Sequence, residues 1–150
     1  MDMLWSRLSK KRLGYFSEKF AAAVMAFYGF YIYTTEIDDH GIDFIAERKD
    51  RELLKIQVKS ARLVGTRYVY MKKRDFNISD SGLYLFLTLF KDGELPKAYM
   101  IPASVWNDCS GSSLFVYHGN YAVPEYGVNL SDKNMTELEK YSIEDTLAKK

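Results

Sequence analysis

The sequence predicts an α/β (α+β) chain in which flanking helices cover a central β-sheet. Three observations predict it. One long stretch near the start has helical spacing. Several later stretches are short and rich in aromatic and β-branched residues. "LYLFLTLF", from Leu83 to Phe90, is apolar on both faces and therefore central in a sheet covered on both sides. The 150 residues suit one domain with one core. We expect a single domain over 1–150, ending in a helical tail from about 131 to 150.

Taken in order, Ser9 to Tyr28 reads as a helix. Phe16, Phe20, Ala23, Val24 and Phe27 follow helical spacing, and Gly29 is a plausible stop. The opposite side holds Glu18, Ala21, Ala22 and Met25, so the helix is expected to be covered on both sides. "FYIYTT", Phe30 to Thr35, is a strand by composition. Ile42 to Glu47 and Leu53 to Lys59 form a hairpin, and Tyr68 to Lys72 is a further strand. After Leu83–Phe90, an Asp92-Gly93 turn returns the chain through "KAYMI". Pro102 to Trp106 reads as a short helix with Pro102 near its start, and "LFVYH" as a weak strand. Ser131 or Asn134 caps a last helix carrying Met135, Leu138 and Tyr141.

Composition excludes several classes. With 47% hydrophobic and 15% aromatic residues the chain can bury a core, and disorder is excluded. The single cysteine, Cys109, permits no internal disulfide and no cysteine-based zinc site, which fits the cytoplasm. No stretch has the length of a membrane span, and "MDMLWSRLSKKR" lacks the apolar region of a signal peptide. Net charge is +1, but its distribution is uneven. Ten basic residues fall between Arg48 and Arg74 against Asp50 and Glu52, while six acids face four lysines from Glu125 onward. A positive block of this kind suits a polyanion, and a solvated surface is the plainer alternative.

The hairpin carries the chemistry. In "GIDFIAERKDRELLKIQVK" side chains alternate, so Ile42, Phe44 and Ala46 share one face with Leu54, Ile56 and Val58. Asp43, Gln57 and Lys59 then meet on the other face. A loop centred on Asp50 pairs positions whose numbers sum to 100, which sets Asp43 against Gln57. Two oxygens there could share a hard cation such as Mg²⁺ (or Mn²⁺), with the Lys59 ammonium beside it for a nucleophile or a phosphate. An amide oxygen is a poorer ligand than a carboxylate, so further acid is wanted. Glu18, on a helix over the same face, is the expected source, with Glu47 as a second. The plainer alternative is a hairpin with a solvated polar face, and Glu18 at a wet helix end.

On these residues the stretch from Gly14 to Ala61 resembles the PD-(D/E)xK nuclease superfamily, the restriction-endonuclease-like fold. "GYFSEKFAAAV" resembles the first helix with its acid, "DDHGIDF" the metal-binding Asp strand, and "IQVKS" the E-x-K strand. "YLFLTLFKDGELPKAYMIPASVW" and "YGVNLSDKNMTELEKY" resemble a branch of small bacterial proteins with this core. The resemblance implies a central mixed sheet and metal-dependent hydrolysis of DNA phosphodiesters. It implies Asp43, Gln57 and Glu18 as metal ligands and Lys59 as the catalytic lysine. Gln57 stands where the family carries Glu, and "LVGTRYVYMKKRDF" interposes a strand-like pattern after Lys59 where the family has a helix.

Other residues are weighed more lightly. Asp38 and Asp39 serve a turn more readily than a metal, and His40 beside them more readily has no role. "RYVYMKKR" interleaves Arg67, Lys72, Lys73 and Arg74 with Tyr68 and Tyr70, which suits a nucleic-acid backbone and exposed bases. Arg62 belongs to the same basic block, and Lys10, Lys11 and Arg12 form a second basic group. Three functions are compatible with these residues: a Mg²⁺-dependent nuclease, a module of the same fold that binds DNA or a protein without chemistry, and a structural homodimer. A homodimer is also compatible with the first.

Overall fold

The structure, a computed structural model, describes residues 2–36, 41–65 and 67–148. Asp38, Asp39 and His40 lie outside the described residues. The first helix, α1, spans Lys10–Phe27. Ser9 caps it, its hydroxyl accepting from the Arg12 N–H at 3.2 Å. Gly29 ends it at φ 93°, with its N–H on the Ala26 carbonyl at 3.0 Å and the Phe30 N–H on that of Met25 at 3.1 Å. That is a Schellman close, which needs a residue free of a Cβ penalty at positive φ.

The buried stripe of α1 is Leu13, Ser17, Ala21 and Met25, at a spacing of four. This corrects the two-sided expectation: Phe27 is 84% exposed and Tyr15 65% exposed. The small Ala21 sits at the contact and allows a close approach, while Phe16, Phe20 and Val24 flank it half-buried. Phe16 instead packs its ring 5.2 Å from Trp5 and 5.9 Å from Phe90.

The main sheet is mixed. Its strands are β1 (Tyr31–Thr34), β2 (Phe44–Glu47), β3 (Leu53–Arg62), β5 (Leu83–Phe90) and β6 (Lys97–Pro102), in that spatial order. Only β3 and β5 run parallel; the other neighbours are antiparallel. The β2–β3 register pairs Phe44 with Ile56 and Glu47 with Leu53, the predicted sum of 100. The strand begins at Phe44 rather than Ile42 because the Asp43 N–H bonds to the Ile56 carbonyl at 2.8 Å, outside regular pairing.

Between β3 and its parallel neighbour the chain leaves the sheet. β4 (Tyr68–Lys72) joins a second, antiparallel sheet of order β4-β8-β7, with β7 at Phe115–His118 and β8 at Glu125–Asn129. The strand-like pattern after Lys59 is thus a strand. β8, the centre of the second sheet, was not anticipated, since Pro124 and Gly127 disguise it. Pro102 caps a 3₁₀ turn over Ala103–Asp108 rather than opening a helix. The chain closes with the short helices α2 (Met135–Leu138) and α3 (Ile143–Leu147), docked by buried Leu138 and Leu147. No helix among the described residues is long and apolar enough to cross a membrane.

The two faces of the main sheet have separate cores. Ala21 and Met25 of α1 lie against Phe44, Ile56, Val58 and Phe86. The other face carries Leu85, Leu87, Tyr99 and Ile101, packed against Val69, Met71, Tyr126 and Val128 of the second sheet. Gln57 and Lys59 belong to this second face, since they pair with Leu85 and Leu87 across the parallel ladder. The cover ends at β4, so β3 meets solvent at the margin between the two sheets.

Candidate active site

At that margin lies a cleft of about 520 Å³ lined by Gly41, Gln57, Lys59, Tyr70, Lys72 and Asp75, among others. β3 supplies Gln57 and Lys59, two residues apart and so on one face. Asp43 precedes β2, where its N–H bonds to the carbonyl of Ile56, next to Gln57 in sequence on β3, instead of continuing the ladder. Its Oδ2 accepts a hydrogen bond from the Val58 N–H at 2.6 Å. The carboxylate is thereby held at the β3 backbone between Gln57 and Lys59. Such a charge-assisted bond fixes the acid more firmly than a neutral one.

Gln57 is 6% exposed, and its Oε1 is a buried acceptor with no hydrogen-bond partner among the described residues. Leaving such an oxygen unpaired costs about 1–3 kcal/mol. Gly41 packs against this amide at φ 74°. A Cβ on Gly41 would fall 3.2 Å from Gln57 Nε2, 3.2 Å from Asp75 Cβ and 3.1 Å from the Asp75 carbonyl oxygen. Gly41 therefore lies between the Gln57 amide nitrogen and the Asp75 backbone, on the wall of the cleft.

Asp75 was missed by sequence reasoning. It ends the 3₁₀ turn Lys73–Asp75 directly after β4, and only the fold returns that turn to the cleft. The one signal was an acid closing the basic run "MKKRD". Glu18 is corrected in the opposite sense. It is exposed, on a helix that packs against Ile56 and Val58, the face opposite Gln57 and Lys59. Neighbouring Ser17 takes the inward position, donating its hydroxyl to the Leu13 carbonyl at 2.8 Å. Glu47 accepts from the Tyr33 hydroxyl at 3.0 Å and pairs with Arg51 at 3.3 Å, which holds it toward the turn.

Among the predicted basic residues, Lys10 and Lys72 line the cleft with Lys59. Lys11 and Arg12 are exposed on the first turn of α1. Arg62 donates to the Leu8 carbonyl and Arg67 to Asp132, so both are engaged in holding the chain. Lys73 donates to the Tyr117 hydroxyl at 3.2 Å, and Arg74 lies 4.0 Å from Asp75 Oδ2.

Among the described residues, no three of His, Cys, Asp and Glu gather as a metal site. Gln57 and Asp75 line the cleft, Asp43 is held on the β3 backbone next to Gln57, and the orphaned Gln57 Oε1 is an oxygen of the kind a hard divalent cation takes.

No family model matches the chain, and no curated protein does. Solved structures do. Hjc of Archaeoglobus fulgidus, a Holliday junction resolvase from an archaeal hyperthermophile, aligns with a TM-score of 0.55 at 12% identity, over 90% of this chain and 95% of its own. A bacterial homing endonuclease, I-Ssp6803I, aligns with a TM-score of 0.55 at 21% identity, over 94% of each chain. The chain shares the fold of both, the restriction-endonuclease-like fold expected from the sequence.

Proposed function

We propose that this protein is a divalent-metal-dependent endonuclease that hydrolyses DNA phosphodiester bonds. The observation that carries the reading is the buried amide of Gln57, its Oε1 unpartnered among the described residues, two positions from Lys59 on the wall of a lysine-rimmed cleft. Asp43 and Gln57 would hold the cation, Mg²⁺ or Mn²⁺, with Asp75 as a further carboxylate in reach of the same cleft. The cation supplies Lewis acidity toward phosphate and water.

The chain's own groups do the rest. Lys59 Nζ donates to a non-bridging phosphate oxygen, where charge gathers as water adds to phosphorus and one P–O ester bond breaks. The Val58 N–H keeps Asp43 oriented, so little reorganisation is needed as the charge develops. Lys10 and Lys72 bind phosphates on either side of the scissile one. DNA is the partner this charge pattern serves.

The test is incubation of the purified chain with supercoiled plasmid in Mg²⁺, in Mn²⁺ and in EDTA. Cleavage in the metals alone, lost in Asp43→Ala and Lys59→Ala, supports the reading. Salt-sensitive DNA binding with no cleavage in either metal would assign the chain instead to binding without chemistry, a reading favoured by the neutral amide at position 57.

A further inference from the structure

The outer face of the second sheet carries tyrosines that no core requires. Tyr68, Tyr70 and Lys72 alternate outward on β4, while Val69 and Met71 point into the core. Tyr70 is 45% exposed. Its ring lies 6.2 Å from that of Tyr68 at an interplanar angle of 20°, so the two rings stand nearly parallel on the outer side of β4. Tyr68 is laid down by β8. A Cβ on Gly127 would fall on the Tyr68 ring, 2.4 Å from its Cζ, so only glycine leaves room for it. The Tyr68 hydroxyl donates to Glu125 Oε2 at 2.6 Å, which pins the ring in place. Beyond it His118 of β7 meets Tyr68 edge-on at 6.1 Å and stacks on Tyr121 at 4.4 Å and 4°. Tyr121 is 49% exposed.

This platform is continuous with the candidate active site, because Tyr68, Tyr70 and Lys72 line the same cleft as Gln57 and Lys59. A duplex presents phosphates and groove edges; only unpaired bases present flat faces to tyrosine rings. Lys10, Lys59 and Lys72 offset the backbone charge of a strand entering the cleft, and Glu125 is occupied by Tyr68.

We infer that the aromatic face of Tyr70, Tyr68, His118 and Tyr121 binds a single-stranded DNA segment whose bases stack on it while its backbone continues into the cleft. The substrate is then DNA with an unpaired region beside the cut, which rests on the endonuclease reading above.

The experiment measures binding in EDTA, so that cleavage plays no part. Fluorescence anisotropy is read with a labelled single-stranded oligonucleotide and with the blunt duplex of the same sequence. The single strand is expected to bind more tightly than the duplex. Tyr70→Ala and Tyr121→Ala are each expected to weaken it about tenfold, the scale of one base–aromatic stack, and Tyr121→Ala, outside the cleft, is expected to leave duplex affinity little changed. Tyr70→Trp is expected to retain it. Equal or tighter duplex binding, or single-strand affinity unchanged in both alanine variants, overturns the inference. So does a wild-type dimer in sedimentation that Tyr70→Ala dissociates, since a second copy would then cover the face. Failure of the endonuclease reading shows separately, as absent plasmid cleavage with this binding pattern intact.

Discussion

Asp43 accepts a hydrogen bond from the Val58 backbone N–H at 2.6 Å, so the acid of one strand is clipped onto the next between the two side chains it would work with. With the Asp43 N–H on the Ile56 carbonyl, the bond holds the residue to β3 from both its backbone and its side chain.

Gln57→Glu should turn the weakest donor into the strongest. With no cation a buried carboxylate replaces a buried amide, so the variant in EDTA is expected to lose about 1–3 kcal/mol of stability. Saturating Mg²⁺ should restore it, since a ligand at a hundred times its Kd adds about 2.7 kcal/mol. Thermal melts with and without Mg²⁺ check this. A variant whose melting is indifferent to the metal contradicts it.

Gly41→Ala should injure both fold and site. Position 41 sits at φ 74°, and its new Cβ would press on Gln57 and on the backbone of Asp75. The left-handed conformation alone costs about 1–2 kcal/mol for a residue with a Cβ. Urea unfolding should show at least that loss, and plasmid cleavage should fall with it.

Gly127→Ala should separate platform from core. The new Cβ meets only the movable end of Tyr68, so the ring can swing out and release Glu125. The stability loss is expected near about 1 kcal/mol, one hydrogen bond. Single-strand binding should nevertheless weaken as it does in Tyr70→Ala. Unchanged anisotropy would show that the placement of Tyr68 is irrelevant to binding.

One pH effect follows from Asp80. The Lys55 ammonium, at 2.7 Å, and the Gly82 N–H hold its carboxyl below the ordinary carboxylate range. A depressed folded value means the contribution is present above the unfolded value, near pH 4, and is lost as pH falls through the folded one. Lys55 is partly exposed, so the effect is expected to be under about 1 kcal/mol. Asp80→Asn should flatten the acid limb of a stability–pH curve below pH 4 and leave the neutral region parallel to wild type.

The hairpin was legible in the sequence because both strands are short, alternate cleanly and share a turn centred near Asp50, and the register follows from those facts alone. The helix was legible in extent but not in orientation. Its phenylalanines dominate the apolar pattern, yet packing selected the stripe that includes Ser17 and Ala21, because closeness to the sheet matters more than side-chain size there. That choice turned Glu18 to solvent. β8 was illegible because its glycine is needed for a tyrosine four strands earlier in the sequence, a requirement no local window contains. Asp75 was hidden for a related reason: its neighbours in sequence are cations, and its neighbours in space are Gly41 and Gln57.

The central claim is that Asp43 and Gln57 share a divalent cation beside Lys59. Anomalous diffraction from crystals soaked in Mn²⁺ tests it most directly. The account predicts a peak within ligand distance of Gln57 Oε1 and a carboxylate oxygen of Asp43. A strong peak elsewhere on the chain with none at these two oxygens would contradict it.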